Sequence, residues 1–466
     1  MRKIMRLFFF TCLMSVFFAV SGSAEELPPL PRGPMILTSA TQAMQNADFW
    51  IRRIEGAERV VKTREEIEKF NEYIRSLVRE NVDIFRLDFR RPGKQIADQL
   101  QLEFNTLRNR KLFGVDNQYV QKSFFDDQIK PLVQIDKVPS TIRMKWGAAV
   151  RTTSVRALPT MVKLLEDKGD VEFDQLQFTL IKLWTPVGIY HSSSNGQWLY
   201  IQAPYVRGWV KAKDIAVFPS RDDLKKYAAS DKFFVVTGES ASVFKDPART
   251  TLLQRASMGT VIPRAPIPSS QLAAGSSEPY TVWMPYRKSD GSAGVAKAYI
   301  SRKSDVQRNY PVYSQANILR QAFKLLGFRY GWGGQYNGRD CSGFVHDVFL
   351  SFGIAFPRDS KQQSLVGIQL GFFEPFEEDI QKEKALGSLR PGLALLKMPK
   401  HQMIYLGQIG KQHYVIHSTW AERTGQDPRK DEKNRINQVV VSDLNLNGNS
   451  YIGSLFDRIV SINEIE

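Results

Sequence analysis

The apolar residues of this 466-residue chain change their period near residue 140, and that change constrains the fold more than any other feature. Before it the spacing is helical. Thr63 and Glu66 form a capping box, and Ile67, Phe70, Ile74 and Leu77 follow on one face. Ile96, Leu100, Phe104 and Leu107 repeat the theme. Residues from about 40 to 135 are therefore expected to make a small helical packing unit, with no cluster of residues that suggests chemistry. After residue 140 the texture is short alternating strands and turns. Such a length is too great for one ordinary domain. With 42% hydrophobic and 24% charged residues, the chain has apolar material for several cores and is not composed like a disordered one.

The first β-rich unit has an Asn195-Gly196 turn, then "WLYIQ", then "RGWVKAKDI". Its ending around Gly208-Trp209-Val210 resembles the C-terminal half of bacterial SH3-like barrels. A second unit of the same plan begins near 231 with "FFVVTGESASVFKDP", carries a Pro/Ser/Ala/Gly-rich insert, and closes with "GVAKAYISRKSDV". The two make a weak tandem repeat. Small five-stranded barrels of this kind bind or orient more often than they catalyse.

Residues 1–24 have the pattern of a secretory signal peptide. Arg2, Lys3 and Arg6 precede an apolar run, and Gly22-Ser23-Ala24 offers a cleavage site after Ala24. The run is shorter than the ~20 residues of a spanning helix, which disfavours a permanent anchor. A periplasmic or secreted protein, not stably inserted in a membrane, is expected. The formal charge of +16, lowered by three on cleavage, favours anionic surroundings such as a wall polymer, or is simply a well-solvated basic surface. No Lys/Arg block or recognition motif points to nucleic acid. Cleavage would also remove Cys12 and leave Cys341 with no partner in its own chain. A single thiol in an exported protein is an inert buried residue, a link to another chain, or a nucleophile.

Local sequence favours the nucleophile. Cys341, Phe344, Val345, Val348, Phe349 and Phe352 follow helical spacing, and Asp340 is placed to cap the helix. Cys341 then falls in the first turn, where unpaired N–H groups favour thiolate over thiol. The preceding "RYGWGGQYNGRD" is a glycine-rich loop suited to close backbone approach to a ligand. Of five histidines, His191 sits beside a turn and is expected on a surface loop, and His346 faces away from Cys341 on the helix. "HQMIYLG" and "HYVIHSTW" make an antiparallel hairpin. Placing residue 401 opposite 417 puts both imidazoles on one face, as neighbours. One could take the thiol proton while the other orients it. His413 shares that parity but lies near the turn. A zinc site of His401, His413 and His417 is an alternative that leaves the helix-start cysteine unexplained.

"RDCSGFV", "FPRDSKQQ", "HQMIYLG" and "HYVIHSTW", in that order over about residues 310–440, resemble the NlpC-type family of cell-wall cysteine peptidases. The resemblance implies an α+β fold. A papain-like domain (308–466) would follow a signal peptide (1–24), an N-terminal helical region (25–138) and two all-β SH3-like barrels (139–222 and 223–307). It implies hydrolysis of the γ-D-glutamyl bond to an L-diamino acid, diaminopimelate or lysine, in peptidoglycan stem peptides or muropeptides, by a monomer needing no cofactor or metal. Cys341 would be the nucleophile, His401 the base and His417 the orienting residue. Tyr330, Asp340 and Ser342 would contact the free amine of a leading L-alanine. Arg358, Ser360 and Gln363 match a structural or pocket-lining motif. The charged stretch "QDPRKDEKNR" after Trp420 departs from the pattern and could alter access to the site. Two other readings stay open: a wall-binding protein with an inactive peptidase domain, and an amidase or acyltransferase on the same fold.

Overall fold

Chain segments far apart in sequence share two large cores, and a computed structural model describes how, over residues 33–266, 278–374, 379–430 and 432–466. The signal-peptide pattern, Cys12 and most of the Pro/Ser/Ala/Gly-rich insert lie outside the described residues. Helix α1, Arg64–Leu77, begins with the expected capping box, Thr63 and Glu66 each bonding the other's backbone. Ile67, Phe70 and Ile74 are buried, whereas Leu77, in the last turn, is exposed and Val78 takes its place in the core. Helix α2, Gly93–Arg108, buries Ile96, Leu100, Phe104 and Leu107 as the spacing predicts.

The expectation of one helical packing unit is corrected. Met44, Trp50, Phe70 and Ile74 pack with the C-terminal part of the chain, against Phe344, Phe349 and Phe352. Ile84 and the α2 residues pack instead with Trp146, Tyr200 and Trp209 of the first β unit. Neither half has enough apolar surface of its own, so each completes a neighbour's core. Asn71 fixes the first half in place: its Nδ2 donates to Gly353 O at 2.9 Å, and its Oδ1 accepts from Ala355 N at 2.7 Å.

The first β unit is a seven-stranded sheet between Lys145 and Phe218. The Asn195-Gly196 turn joins Pro186–Ser192 to Trp198–Ala203, with Gly196 at φ +66°. Its sheet has more strands than the expected five because Thr153–Arg156 and Gln177–Ile181 form an extra antiparallel pair. A long loop joins that pair, and the loop matters below. The second unit has a three-stranded and a four-stranded sheet between Phe233 and Arg308. Its Phe234, Val243 and Ile300 share a core with the first unit.

The C-terminal part opens with α3, Gln315–Phe323, capped by Ser314, and α4, Cys341–Leu350. Six strands follow: β1 Ile368–Phe372, β2 Ala394–Met398, β3 His401–Ile409, β4 Gln412–Thr424, β5 Glu432–Asp443 and β6 Ser461–Glu464. They form one antiparallel sheet in the order β1-β6-β2-β3-β4-β5. Even-numbered residues of β3 and β4, Ile404 and Ile416, pack on Val345 and Val348 of α4. Odd-numbered ones, Met403, Tyr405 and Val415, pack with Leu444, Leu455 and Ile459 on the other face. This helix-on-sheet arrangement is the mixed α+β architecture expected. The stretch after Trp420 is only partly a loop: β4 and β5 extend as a paired arm to Thr424 and Glu432.

Candidate active site

Asp340 starts α4 with its Oδ1 accepting from Gly343 N at 2.7 Å, which places Cys341 in the first turn. The Cys341 side chain is 8% exposed, and its Sγ lies 3.8 Å from Lys400 O, next to the start of β3. His401 and His417 are brought together, with His401 Nε2 and His417 Nδ1 2.7 Å apart. Their rings meet edge to face at a centroid distance of 5.0 Å. The register that joins them differs from the one expected. Ile404 pairs with Ile416 and Tyr405 with Val415, a shift of two residues, because the turn closes at Gly410 (φ +62°) and a bulge follows Tyr405. A shift of two preserves parity, so both imidazoles still share a face and meet on the diagonal. His417 Nε2 in turn lies 3.0 Å from Ser442 Oγ on β5. Sequence reasoning missed Ser442, although a serine inside "VVVSD" on a buried strand was a signal.

The electrostatics overturn one expectation. A helix start alone would favour thiolate, but burial pushes the Cys341 thiol up to about 12, and the Asp340 carboxylate adds to the shift. The N–H groups of Gln402 and Ser342 and the Arg358 cation oppose it without prevailing. Burial, then His417, also holds His401 well below the ordinary imidazole range, and burial brings His417 down to about 3. The resting site therefore holds a neutral thiol near the start of β3 and a neutral imidazole pair. Such a pair can act as general base, with the proton leaving sulfur as the sulfur attacks.

Tyr330 and His401 line a cleft of about 370 Å³. Asp340 and Ser342 flank Cys341 and are tied to Arg358. Arg358 Nη2 meets Asp340 Oδ2 at 2.6 Å, and its Nη1 donates to Ser342 Oγ at 2.9 Å. Asp340 Oδ2 also accepts from Gly333 N at 2.8 Å, so both carboxylate oxygens are engaged within the protein. Gln363 supports the same turn by donating to Ser342 O at 2.9 Å. Ser360 begins a short helix, Ser360–Gln363.

The long loop of the first β unit supplies residues that no local pattern revealed. Phe173 packs against Tyr330, Trp332 and Trp420, with centroids 5.5–6.3 Å apart. Glu172 holds Arg329 at 3.0 Å, Arg435 at 2.6 Å and Trp420 Nε1 at 2.7 Å. Asp170 reaches the cleft wall, and among the described residues no cation pairs with it. The glycine-rich loop packs closely on this unit: a Cβ at Gly333, φ +55°, would lie 2.9 Å from Gln177 O.

The remaining histidines are structural. His191 lies in a strand, not a surface loop, with Nε2 2.8 Å from Val133 O. His346 is buried against Tyr205, its Nδ1 2.8 Å from Phe356 O. His413 is held at the far end of the hairpin by Tyr405 and Glu383, away from the His401–His417 pair that a zinc site would need it to join.

Residues 163–211 match the SH3 domain (SH3b1 type) model, and residues 327–437 match the NlpC/P60 family model. This chain carries an NlpC/P60 domain. The gamma-D-glutamyl-L-lysine dipeptidyl-peptidase of Bacillus cereus (strain ATCC 10987 / NRS 248) is 26% identical over 235 residues, 47% of this chain and 57% of that protein. The match thus spans little more than half of that relative's length. An NlpC/P60 endopeptidase structure from Photobacterium damselae subsp. piscicida aligns at TM-score 0.73 and 17% identity, over 93% of this chain and 99% of that one. At that identity the likeness speaks to fold. Among the described residues no helix is long and apolar enough to cross a membrane.

Proposed function

We propose that the chain is an exported cysteine endopeptidase that hydrolyses the γ-D-glutamyl–L-diamino acid bond of peptidoglycan stem peptides. The observation that carries this reading is the placement of Cys341, in the first turn of α4, beside strands that hold His401 and His417 at 2.7 Å. In the reaction His401 takes the thiol proton as Sγ adds to the γ-carbonyl carbon of D-glutamate. The N–H of Cys341 stabilises the oxyanion. Collapse to a thioester expels the diamino acid's α-amine, which receives its proton from His401. Water, deprotonated by His401, then opens the thioester, and the proton returns to sulfur. His417 orients His401 throughout.

The preference for a free L-alanine amine is part of the proposal. An ammonium in the cleft would meet Tyr330 and the carboxylate of Asp170. Asp340 and Ser342, held by Arg358, fix the turn that carries Cys341. The first β unit is thereby part of the site, and the pattern of residues 1–24 would deliver the enzyme to the wall.

L-Ala-γ-D-Glu-diaminopimelate, its N-acetylated form and the Cys341→Ala variant test the reading. The free tripeptide should be cut at the γ-bond, the acetylated one much more slowly, and neither by the variant. Undiminished cleavage by Cys341→Ala would sink the assignment, and equal rates on both peptides would remove the free-amine requirement.

A further inference from the structure

One part of the cleft wall is built from cations. Arg458 lines it from the segment between β5 and β6, together with Lys400, Lys433 and the side chain of Asn447. Arg458 is half-buried, and among the described residues no carboxylate pairs with it. Lys400 and Lys433 likewise have no carboxylate partner among the described residues. Arg423 stands beside them, bonded to Tyr451 Oη at 3.2 Å. Removing a guanidinium from water without a counter-charge is unfavourable, and burial together with Arg423 lowers the pKa of Arg458 accordingly. A ligand that brings a carboxylate to this place would relieve that cost.

The location says which part of a substrate meets it. Arg458 is close enough to His401 to act on its charge. His401 is the group that protonates the departing amine, so what borders it on this side borders the leaving group. Resting on the γ-glutamyl reading, we infer that Arg458 is a specificity-determining residue that binds the leaving diamino acid through a carboxylate. The ligand class follows from the chemistry. Diaminopimelate carries a second carboxylate at the end of its side chain, where lysine ends in an ammonium alone. Arg458, Lys400 and Lys433 in one wall would repel that ammonium and attract the carboxylate. The enzyme is thus selective for diaminopimelate stem peptides, unlike the lysine named for its Bacillus relative. The α-carboxylate of a terminal diamino acid has the same chemistry, and the test separates the two.

The experiment measures kcat/KM for L-Ala-γ-D-Glu-diaminopimelate, for the same peptide amidated at the side-chain carboxylate, for the one amidated at the α-carboxylate, and for L-Ala-γ-D-Glu-L-Lys. Wild type should favour the first over the lysine peptide by roughly tenfold to a hundredfold, the range of one charge-assisted hydrogen bond. Amidation of the side chain should erase that margin, and amidation of the α-carboxylate should not. Arg458→Gln should bring the ratio toward one, and Arg458→Lys should restore part of it. A ratio near one in wild type, or an unchanged ratio in Arg458→Gln, overturns the proposal. So does loss of preference on α-amidation alone, which would assign Arg458 to the terminal carboxylate. Binding of the four peptides to Cys341→Ala by calorimetry keeps the two readings apart. Selective binding without cleavage in wild type would refute the γ-glutamyl reaction alone, whereas cleavage without selectivity would refute this subsite alone.

Discussion

At the scale of single residues, the proton inventory of the site decides what Cys341 can do. A thiol pushed up to about 12 and an imidazole held well below its ordinary range cannot rest as an ion pair at neutral pH. Alkylation of Cys341 by iodoacetamide should therefore be slow at pH 7 and still rising above pH 9. A rate that levels off below pH 7 would show a resting thiolate and refute this picture. The relay behind His401 sets a second expectation. For Nδ1 of His401 to accept the thiol proton, its Nε2 must carry hydrogen and donate to His417 Nδ1. His417 then carries hydrogen on Nε2, 3.0 Å from Ser442 Oγ. Ser442→Ala removes that acceptor and frees the opposite tautomer, in which His401 cannot act as base. Loss of one such bond should lower kcat roughly threefold to tenfold with KM little changed. Ser442→Thr should recover most of it, and an unaltered kcat in Ser442→Ala would remove Ser442 from the relay. Sequence made Cys341 and the paired imidazoles visible because helix capping and strand parity are local. It did not reveal the neutral thiol, since burial is a property of everything packed around the residue.

At the scale of elements, the hairpin shows what pattern can and cannot fix. Alternation settled which faces His401 and His417 share. The register itself depended on where the turn closed and on one bulge, neither of which alternation encodes. The glycine-rich loop before α4 was recognised, but its neighbour was not. At Gly333 the backbone is left-handed and lies against the strand that carries Gln177, and Gln177 Nε2 donates to Gly333 O at 2.9 Å. Gly333→Ala would meet both the strand, with Gln177 Cγ at 2.7 Å from the new Cβ, and an unfavourable φ of +55°. The conformational part alone costs about 1–2 kcal/mol. The first β unit would be pushed off the cleft, carrying Asp170 and Phe173 with it. A raised KM with a lower melting temperature is the expected result, and unchanged KM would show that this unit does not shape the substrate site. The loop bearing Asp170, Glu172 and Phe173 has no period or motif. Its meaning lies in contacts with Tyr330 and Trp420, more than a hundred residues away, and so was not legible in advance.

At the scale of the whole molecule, the parts meet on one buried carboxylate. Asp347, on α4, receives Lys182 of the first β unit at 2.8 Å and Arg339 at 2.8 Å. Lys182 also donates to Ser257 of the second unit at 3.1 Å, and Arg339 reaches Glu239 O of that unit at 3.4 Å. Burial alone would raise the carboxyl of Asp347, but the two cations outweigh it and hold it down to about 2. Asp347 therefore stays ionised, although burial lowers the pKa of Lys182, and the cluster ties both β units to the helix that begins with Cys341. Asp347→Asn would leave two buried cations without their counter-charge, a loss of about 3–5 kcal/mol for breaking such a buried pair. The effect has a defined pH dependence. A carboxyl whose folded value is depressed contributes stability above its unfolded value of 3.8, and that contribution is lost as pH falls through about 2. Chemical denaturation at pH 7 should thus separate wild type from Asp347→Asn clearly, and the gap should narrow only below pH 3.8. Because the β units lose their shared anchor, the variant should also unfold in more than one step where wild type unfolds in fewer. A gap of less than about 1 kcal/mol at pH 7, the level of an exposed ion pair, would show that the apolar cores alone join the units.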